Sequence, residues 1–164
     1  MLRGSSTTTF FYNFYFKNYK LKGTRWGGFK VRGVAFHKDR IELSDNVHRS
    51  KIVKNGFINV HLENQKFAIM HYWMSGYREL VNKHIRYLHW EGKSRYEAGL
   101  RVSLDRLFSV PFKSFYHCYF IKKGYKDFFV GLFLSFFWAW YETSSMLRLL
   151  RYQQFLKKNS ISLD

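Results

Sequence analysis

The pattern of hydrophobic and polar residues changes its period once along the chain, near Ser75. Before this point, aromatic and β-branched residues favour strands at 8–16 and at about 31–37. Residues 57–63 alternate between apolar and polar side chains, and an extended apolar pattern resumes at 66–72 after a polar pair. This arrangement predicts a half-buried β-hairpin.

After Ser75 the apolar residues recur at helical spacing, and they predict three helices. The first helix fades near Gly99. The second covers 103–122 and is bent, or begins anew, at Pro111. The third covers about 127–157 and has basic residues toward its end, where the helix dipole favours cations. Strands followed by helices, without a repeat or a low-complexity linker, predict a compact α+β fold.

The composition restricts the partners that the chain could bind. Its 164 residues include 28 Lys and Arg against 11 Asp and Glu, a formal net charge of +17, and 21% aromatic residues. A single domain of this charge favours polyanionic partners, which include nucleic acid, an anionic membrane surface and phosphate-bearing substrates. Aromatic residues are too frequent for a disordered basic tail. Nucleic acid is disfavoured because no helix-turn-helix, KH or RNP-like signature is present.

Few residues form a recognisable catalytic or metal-binding motif. Cys118 is the only cysteine, which excludes an internal disulfide and a zinc site built from several cysteines. No HExxH, P-loop, GxGxxG, GxSxG or DxD motif occurs. His84 lies on the apolar stripe of the first helix, so we expect a packed, hydrogen-bonded core histidine rather than a ligand. The polar segment SDNVHRS (44–50) fits either a phosphate-binding loop or a solvated one.

Three stretches of the chain carry a resemblance to a known family: KGTRWGGFKVRGVAFHKDRIELSDNVHRS (22–50), IMHYWMSGYRELVNKHIRYLHWEGKSRYEAG (69–99) and KKGYKDFFVGLFLSFFWAWYETSSMLRLLRYQ (122–153). Their order resembles the C-terminal half of family-2 glycosyltransferases of the GT-A type, in particular bacterial enzymes that build cell-envelope glycans. The resemblance covers about residues 10–155. It implies that residues 1–72 are the C-terminal strand portion of a GT-A catalytic domain and that 73–164 are a helical C-terminal region.

The resemblance also implies a reaction. Full-length relatives transfer a sugar, as hexosyltransferases, from a nucleoside-diphosphate donor to a glycan or lipid-linked acceptor in cell-envelope polysaccharide or lipopolysaccharide synthesis. A divalent metal, Mg²⁺ or Mn²⁺, stabilises the leaving diphosphate. The half that would carry the DxD motif is missing from this sequence, so we expect the chain alone to be inactive and metal-free. The alternative is a non-enzymatic basic protein that binds a membrane surface or nucleic acid.

Several residues acquire expected roles from the resemblance. His48 would contact the metal or the donor diphosphate, and Arg49 stands where relatives often carry an acidic residue, although a guanidinium suits a diphosphate. No residue matches the catalytic base of an inverting transfer. The substrate-loop candidates are Arg25, Trp26, Gly27 and Gly28.

The uncharged stretch within DFFVGLFLSFFWAWYE (127–142) is the strongest apolar feature. As a helix it rises about 21 Å, whereas the bilayer hydrocarbon is roughly 30 Å thick. We expect one face of small residues for helix packing, at Gly131, Ser135 and Ala139, and a membrane-facing aromatic face at Phe129, Phe133, Phe137 and Trp140. Basic residues on both sides favour an amphipathic interfacial helix, at about 127–157, on the cytoplasmic face of the inner membrane. A buried core helix is the alternative.

Overall fold

The structure is a computed structural model that describes residues 5–28, 30–42, 52–54, 58–61 and 68–161. Strands come first and helices follow, so the predicted α+β class is confirmed. The strands are β1 (Ser5–Phe16), β2 (Tyr19–Lys20), β3 (Lys30–Phe36), β4 (Ile41–Glu42), β5 (Ile52–Val53), β6 (Ile58–His61) and β7 (Ile69–Met74). The helices are α1 (Tyr77–Glu97), α2 (Leu104–Tyr116) and α3 (Phe128–Ile161).

Strand β1 is the centre of the main sheet. Along one edge it pairs antiparallel with β2 and β3, and along the other edge it pairs parallel with β6 and β7. Strands β6 and β7 therefore both run in the same direction as β1. Strand β6 lies beside the first half of β1, and β7 lies beside its second half. The predicted hairpin between them is wrong, because a hairpin needs two antiparallel strands that pair with each other. Strands β4 and β5 form a separate antiparallel pair.

The main core lies between this sheet and the helices. Phe14 and Phe16 point from alternate positions of β1 into one cluster, as the period of a strand requires. They meet Leu80 of α1 and Leu134 of α3 in the same cluster. The core therefore joins residues from the strand region and from the helical region of the chain.

The helices begin and end close to their predicted positions. Pro111 lies inside α2 and does not end it. The α-helix ends at Tyr116 instead, and a π-helical turn, His117–Ile121, follows it directly. Helices α1 and α2 both pack along α3. The approach of α1 is close: a Cβ atom on Gly92 would lie 2.7 Å from the carbonyl oxygen of Arg148, so glycine is needed where these helices meet.

Candidate ligand cleft

A cleft opens between the turn after β2 and the three helices. Its larger part, about 1100 Å³, is lined by residues of α1 and α3 that include Arg86, Trp90 and Trp138. A smaller part, about 410 Å³, shares Arg25, Arg95, Trp138 and Glu142 with it and reaches Lys113, Ser114 and His117. We call these two connected spaces the cleft. Each of the three helices contributes side chains to it.

The turn that carries Arg25 is tied to the start of α3 by Asp127. The buried carboxylate accepts hydrogen bonds from the backbone N–H groups of Lys22 and Gly23, both at 2.7 Å. The turn is tight, because a Cβ atom on Gly27 would lie 1.8 Å from the carbonyl oxygen of Gly23. These contacts hold the backbone on which Arg25 projects into the cleft.

The guanidinium of Arg25 lies over the indole ring of Trp138, with 4.1 Å between its central carbon and the ring centroid. A guanidinium held over an aromatic ring can still direct N–H groups at its edge toward an anion. Trp138 itself is only 7% exposed, so the ring is a fixed support. The arrangement presents a positioned cation at the wall of the cleft.

An ion-pair network forms the base of the cleft. Arg95 donates to both carboxylate oxygens of Glu142 at 3.0 Å and also to Glu91, while the Tyr141 hydroxyl donates to Glu91 at 2.8 Å. Burial alone would lower the pKa of Arg95, but its hydrogen bonds and charge interactions with Glu142 and Glu91 raise that pKa. Burial and the same Glu91 raise the pKa of Tyr141 well above its usual value. Both carboxylates are thus held by donors within the protein, Glu142 by Arg95 and Glu91 by Arg95 and Tyr141.

The outer wall of the cleft is aromatic and basic. Trp90 is 70% exposed and lies one helical turn from Arg86, which is also exposed. Tyr87 lies beside them on α1 and lines the same space. Flat rings with a few fixed polar groups are typical of small-molecule sites, and the arginines add affinity for an anionic group. The cleft can therefore receive a ligand that has both a flat or ring-shaped part and a negative charge.

The substrate-loop candidates separate into one cleft residue and three structural ones. Arg25 lines the cleft. Trp26 instead packs into the core, with its ring 4.5 Å from that of Trp73 and 5.7 Å from that of Trp138. Gly27 permits the close contact in the turn, and Gly28 has a φ of 72° that favours glycine. His48 and Arg49 lie outside the described residues.

The aromatic residues proposed to face a membrane lie in different environments. Phe129 is 87% exposed and Trp140 is 42% exposed. Phe133 is partly buried against the main core, with its ring 4.6 Å from that of Tyr77. Phe137 is 6% exposed and belongs to the core cluster, so a lipid-facing role does not fit this position. The reason is that the sheet and α1 cover this side of α3.

The small face of α3 is packed against the segment that precedes the helix. A Cβ atom on Gly131 would lie 1.9 Å from the carbonyl oxygen of Gly124, and a Cβ atom on Gly124 would lie 3.0 Å from the hydroxyl of Ser135. Ser135 is fully buried and donates to the Gly131 carbonyl oxygen at 2.7 Å. Ala139 is also buried. The close approach involves the segment before α3 rather than a separate helix.

Sequence reasoning missed most of the cleft. Arg86, Trp90, Glu91 and Arg95 lie on α1, and Glu142 lies on α3. Two signals were present in the sequence: Glu91 and Arg95 are spaced for an ion pair within a helix, and Trp90 lies off the apolar stripe of α1. Neither signal shows which other helix completes the site.

The cleft does not fit a divalent metal ion. Within the part of the chain that the structure describes, no group of three His, Cys, Asp or Glu side chains is placed to hold one. The carboxylates in the cleft, Glu91 and Glu142, both accept hydrogen bonds from Arg95. Hard divalent cations prefer several oxygen ligands, and here those oxygens already accept hydrogen bonds from Arg95 and Tyr141.

Comparison of the chain with protein-family models, with curated proteins and with solved structures finds no match. Among the described residues, no helix has both the length and the apolar character needed to cross a membrane.

Proposed function

We propose that the chain is the acceptor-side portion of a family-2, GT-A type glycosyltransferase and that its cleft binds a glycan acceptor carrying an anionic group. The observation that carries this proposal is the position of Arg25. Its guanidinium lies over the Trp138 ring in a cleft whose outer wall is formed by Trp90 and Arg86. The stretch 22–50 resembles part of this family and contains the substrate-loop candidate Arg25, whose loop the resemblance puts near the acceptor or the donor, which supports the same assignment.

The chemistry of the cleft suits an acceptor better than a nucleotide-sugar donor. The donor diphosphate of such enzymes is held with a divalent metal, and the carboxylates of the cleft are already paired with Arg95. Exposed aromatic rings offer flat surfaces to sugar rings, and Arg25 and Arg86 offer donors to a phosphate or carboxylate on the glycan. The DxD carboxylates are assigned to protein outside this sequence, and no residue is assigned as the catalytic base.

The test is glycan binding by the purified chain. Saturation-transfer NMR with a panel of neutral and phosphorylated oligosaccharides should give signals from sugar ring protons, strongest for the anionic members. We expect Trp90→Ala and Arg25→Ala to weaken binding by about tenfold each. Arg78→Ala, which removes an exposed arginine at the start of α1 outside the cleft, is the matched control and should bind as the unmodified chain does.

Two results would overturn the proposal. One is the absence of signal from every glycan in the panel. The other is binding that is equal in the Trp90→Ala, Arg25→Ala and Arg78→Ala variants. Tight and salt-sensitive binding of nucleic acid, without any glycan binding, would favour the non-enzymatic alternative. Sugar transfer from a nucleotide-sugar by this chain alone would overturn the assignment of the donor site to protein outside the sequence.

A further inference from the structure

Helix α2 carries a row of large apolar side chains on its outward face. Phe108 is 79% exposed and Phe112 is 77% exposed. The row recurs every four residues, and it consists of Leu104, Phe108, Phe112, Tyr116 and Phe120. We call it the aromatic ridge. Residues four apart are offset by about 40° around an α-helix, so the row turns gradually around α2. Phe108 and Phe112 are neighbours in the middle of the row and are its two most exposed members.

The ridge continues onto α3. Phe136 of α3 is 60% exposed, and its ring lies 4.6 Å from that of Phe115 of α2. The Phe115 ring also stacks on Tyr119 at 5.4 Å, and the Tyr119 ring lies 5.1 Å from that of Phe120 in the ridge, so one apolar surface extends across two packed helices. A contiguous exposed apolar surface of this kind marks a site of interaction with a protein or a membrane.

Exposed cations lie in the same segment as the ridge. The segment 104–126 has five Lys and Arg residues and one acidic residue, Asp105, a net charge of +4 from 5 minus 1. All five basic side chains are exposed: Arg106, Lys113, Lys122, Lys123 and Lys126. Apolar rings with adjacent lysines are the combination that binds to anionic lipid, because the rings enter the interface while the ammonium groups meet the headgroups.

We propose that the aromatic ridge docks on the surface of an anionic bilayer, with α2 lying in the headgroup plane. A second copy of the chain suits the ridge less well, because a symmetric contact would bring the same cations together. A nucleic acid would use the cations but would leave Phe108 and Phe112 without an apolar partner. The docking element is α2, with Phe136 of α3, rather than the aromatic face of α3 that the sequence predicted.

Docking in this way would bring the cleft to the membrane surface. Lys113 and His117 of the α2 segment line the cleft, and a helix with its side chains is roughly 10–12 Å across. If the cleft binds an acceptor, as proposed above, that acceptor would be a glycan on a lipid anchor. This consequence rests on the proposed function, whereas membrane docking itself does not.

The test is co-flotation of the full chain with vesicles of phosphatidylcholine alone or of phosphatidylcholine mixed with phosphatidylglycerol. We expect binding to the anionic vesicles, with affinity at least about tenfold lower for neutral ones. The variant Phe108→Ser/Phe112→Ser should bind the anionic vesicles at least about tenfold more weakly. Both side chains are exposed, so the thermal unfolding midpoint of this variant should match that of the unmodified chain.

The matched control is Met70→Ser/Phe155→Ser, which removes two exposed apolar side chains on β7 and near the end of α3. It should bind vesicles as the unmodified chain does.

Equal vesicle binding by the two double variants would overturn the proposal, and so would binding that does not depend on phosphatidylglycerol. Self-association that is lost in Phe108→Ser/Phe112→Ser, without vesicle binding by the unmodified chain, would overturn it in favour of a second copy. The assay contains no glycan, so its failure would leave the acceptor proposal to its own test.

Discussion

The carboxylate of Asp127 accepts a hydrogen bond from the backbone N–H of Gly23 at 2.7 Å, although the two residues are 104 positions apart. The same carboxylate accepts from Lys22. Asp127 is 1% exposed, so its charge is satisfied by these donors instead of by water. This contact holds the turn that carries Arg25 against the start of α3. The position of Arg25 in the cleft therefore depends on Asp127.

Replacement of Asp127 by Asn should destabilise the chain by about 2–4 kcal/mol. The amide has one acceptor oxygen, and its NH₂ group would face a backbone donor in a buried position. Urea unfolding followed by tryptophan fluorescence measures the loss. Glu97→Gln, which changes an exposed surface ion pair with Lys93, is the control and should change the free energy of unfolding by less than about 0.5 kcal/mol. Equal effects of the two substitutions would contradict the role assigned to Asp127.

Replacement of Arg95 by Leu should destabilise the chain by about 3–5 kcal/mol, because it leaves Glu91 and Glu142 without their cation in a largely buried site. The side chain of Arg95 is only 12% exposed. Denaturant unfolding checks the prediction, with Arg78→Leu at an exposed position of α1 as the control. A triple variant that also replaces Glu91 and Glu142 by Gln should recover part of the loss. No recovery would show that the carboxylate charges are not the cause.

The elements of the fold follow from sequence pattern, whereas their pairing does not. The aromatic and β-branched stretch at 8–16 and the helical spacing after Ser75 identify β1 and α1 near their observed bounds. The period of a strand says which face is buried but not which partner lies at either edge. For that reason β6 and β7 were predicted to pair with each other, although both pair with β1.

The cleft illustrates the same limit. Arg25 was a candidate only through the resemblance of its loop to a glycosyltransferase family. Arg86 and Trp90 enter the site only because α1 packs along α3. Phe137 was placed on the wrong side because aromatic residues occur around much of α3, and tertiary packing alone decides which of them are covered. A local sequence pattern does not show which residues far apart in the chain are in contact.

His84 should make the stability of the chain fall as the pH is lowered. Its Nδ1 lies 2.8 Å from the carbonyl oxygen of Leu80, and its ring packs edge-on against Phe137 and Tyr141. Burial lowers the pKa of His84 below its ordinary value of 6.5. Below pH 6.5 the unfolded chain therefore binds a proton at this histidine more readily than the folded chain does. The contribution of neutral His84 to the free energy of unfolding is complete above pH 6.5 and is lost as the pH falls below it.

The thermal unfolding midpoint, measured from about pH 8 to pH 5, tests this expectation. The variant His84→Gln should show a smaller decrease across that range than the unmodified chain, even if its midpoint is lower throughout. His89→Gln, at an exposed position of α1, is the control and should retain the full decrease. A pH dependence that is unchanged in His84→Gln would assign the effect to other groups.

Cys118 should be protected from thiol reagents in the folded chain. It is fully buried beside the small face of α3, and burial raises the pKa of its thiol, so little reactive thiolate forms. Labelling with a chromogenic disulfide at mildly alkaline pH should be at least about 100-fold slower than in denaturant, because the reagent must wait for local opening. Since Cys118 is the only cysteine, the absorbance reports this site alone.

The variant Ser135→Val, which enlarges the side chain and removes a buried hydroxyl at this contact, should speed labelling by opening the contact between α3 and the segment before it. Native labelling at the denatured rate would show that this contact does not persist in solution.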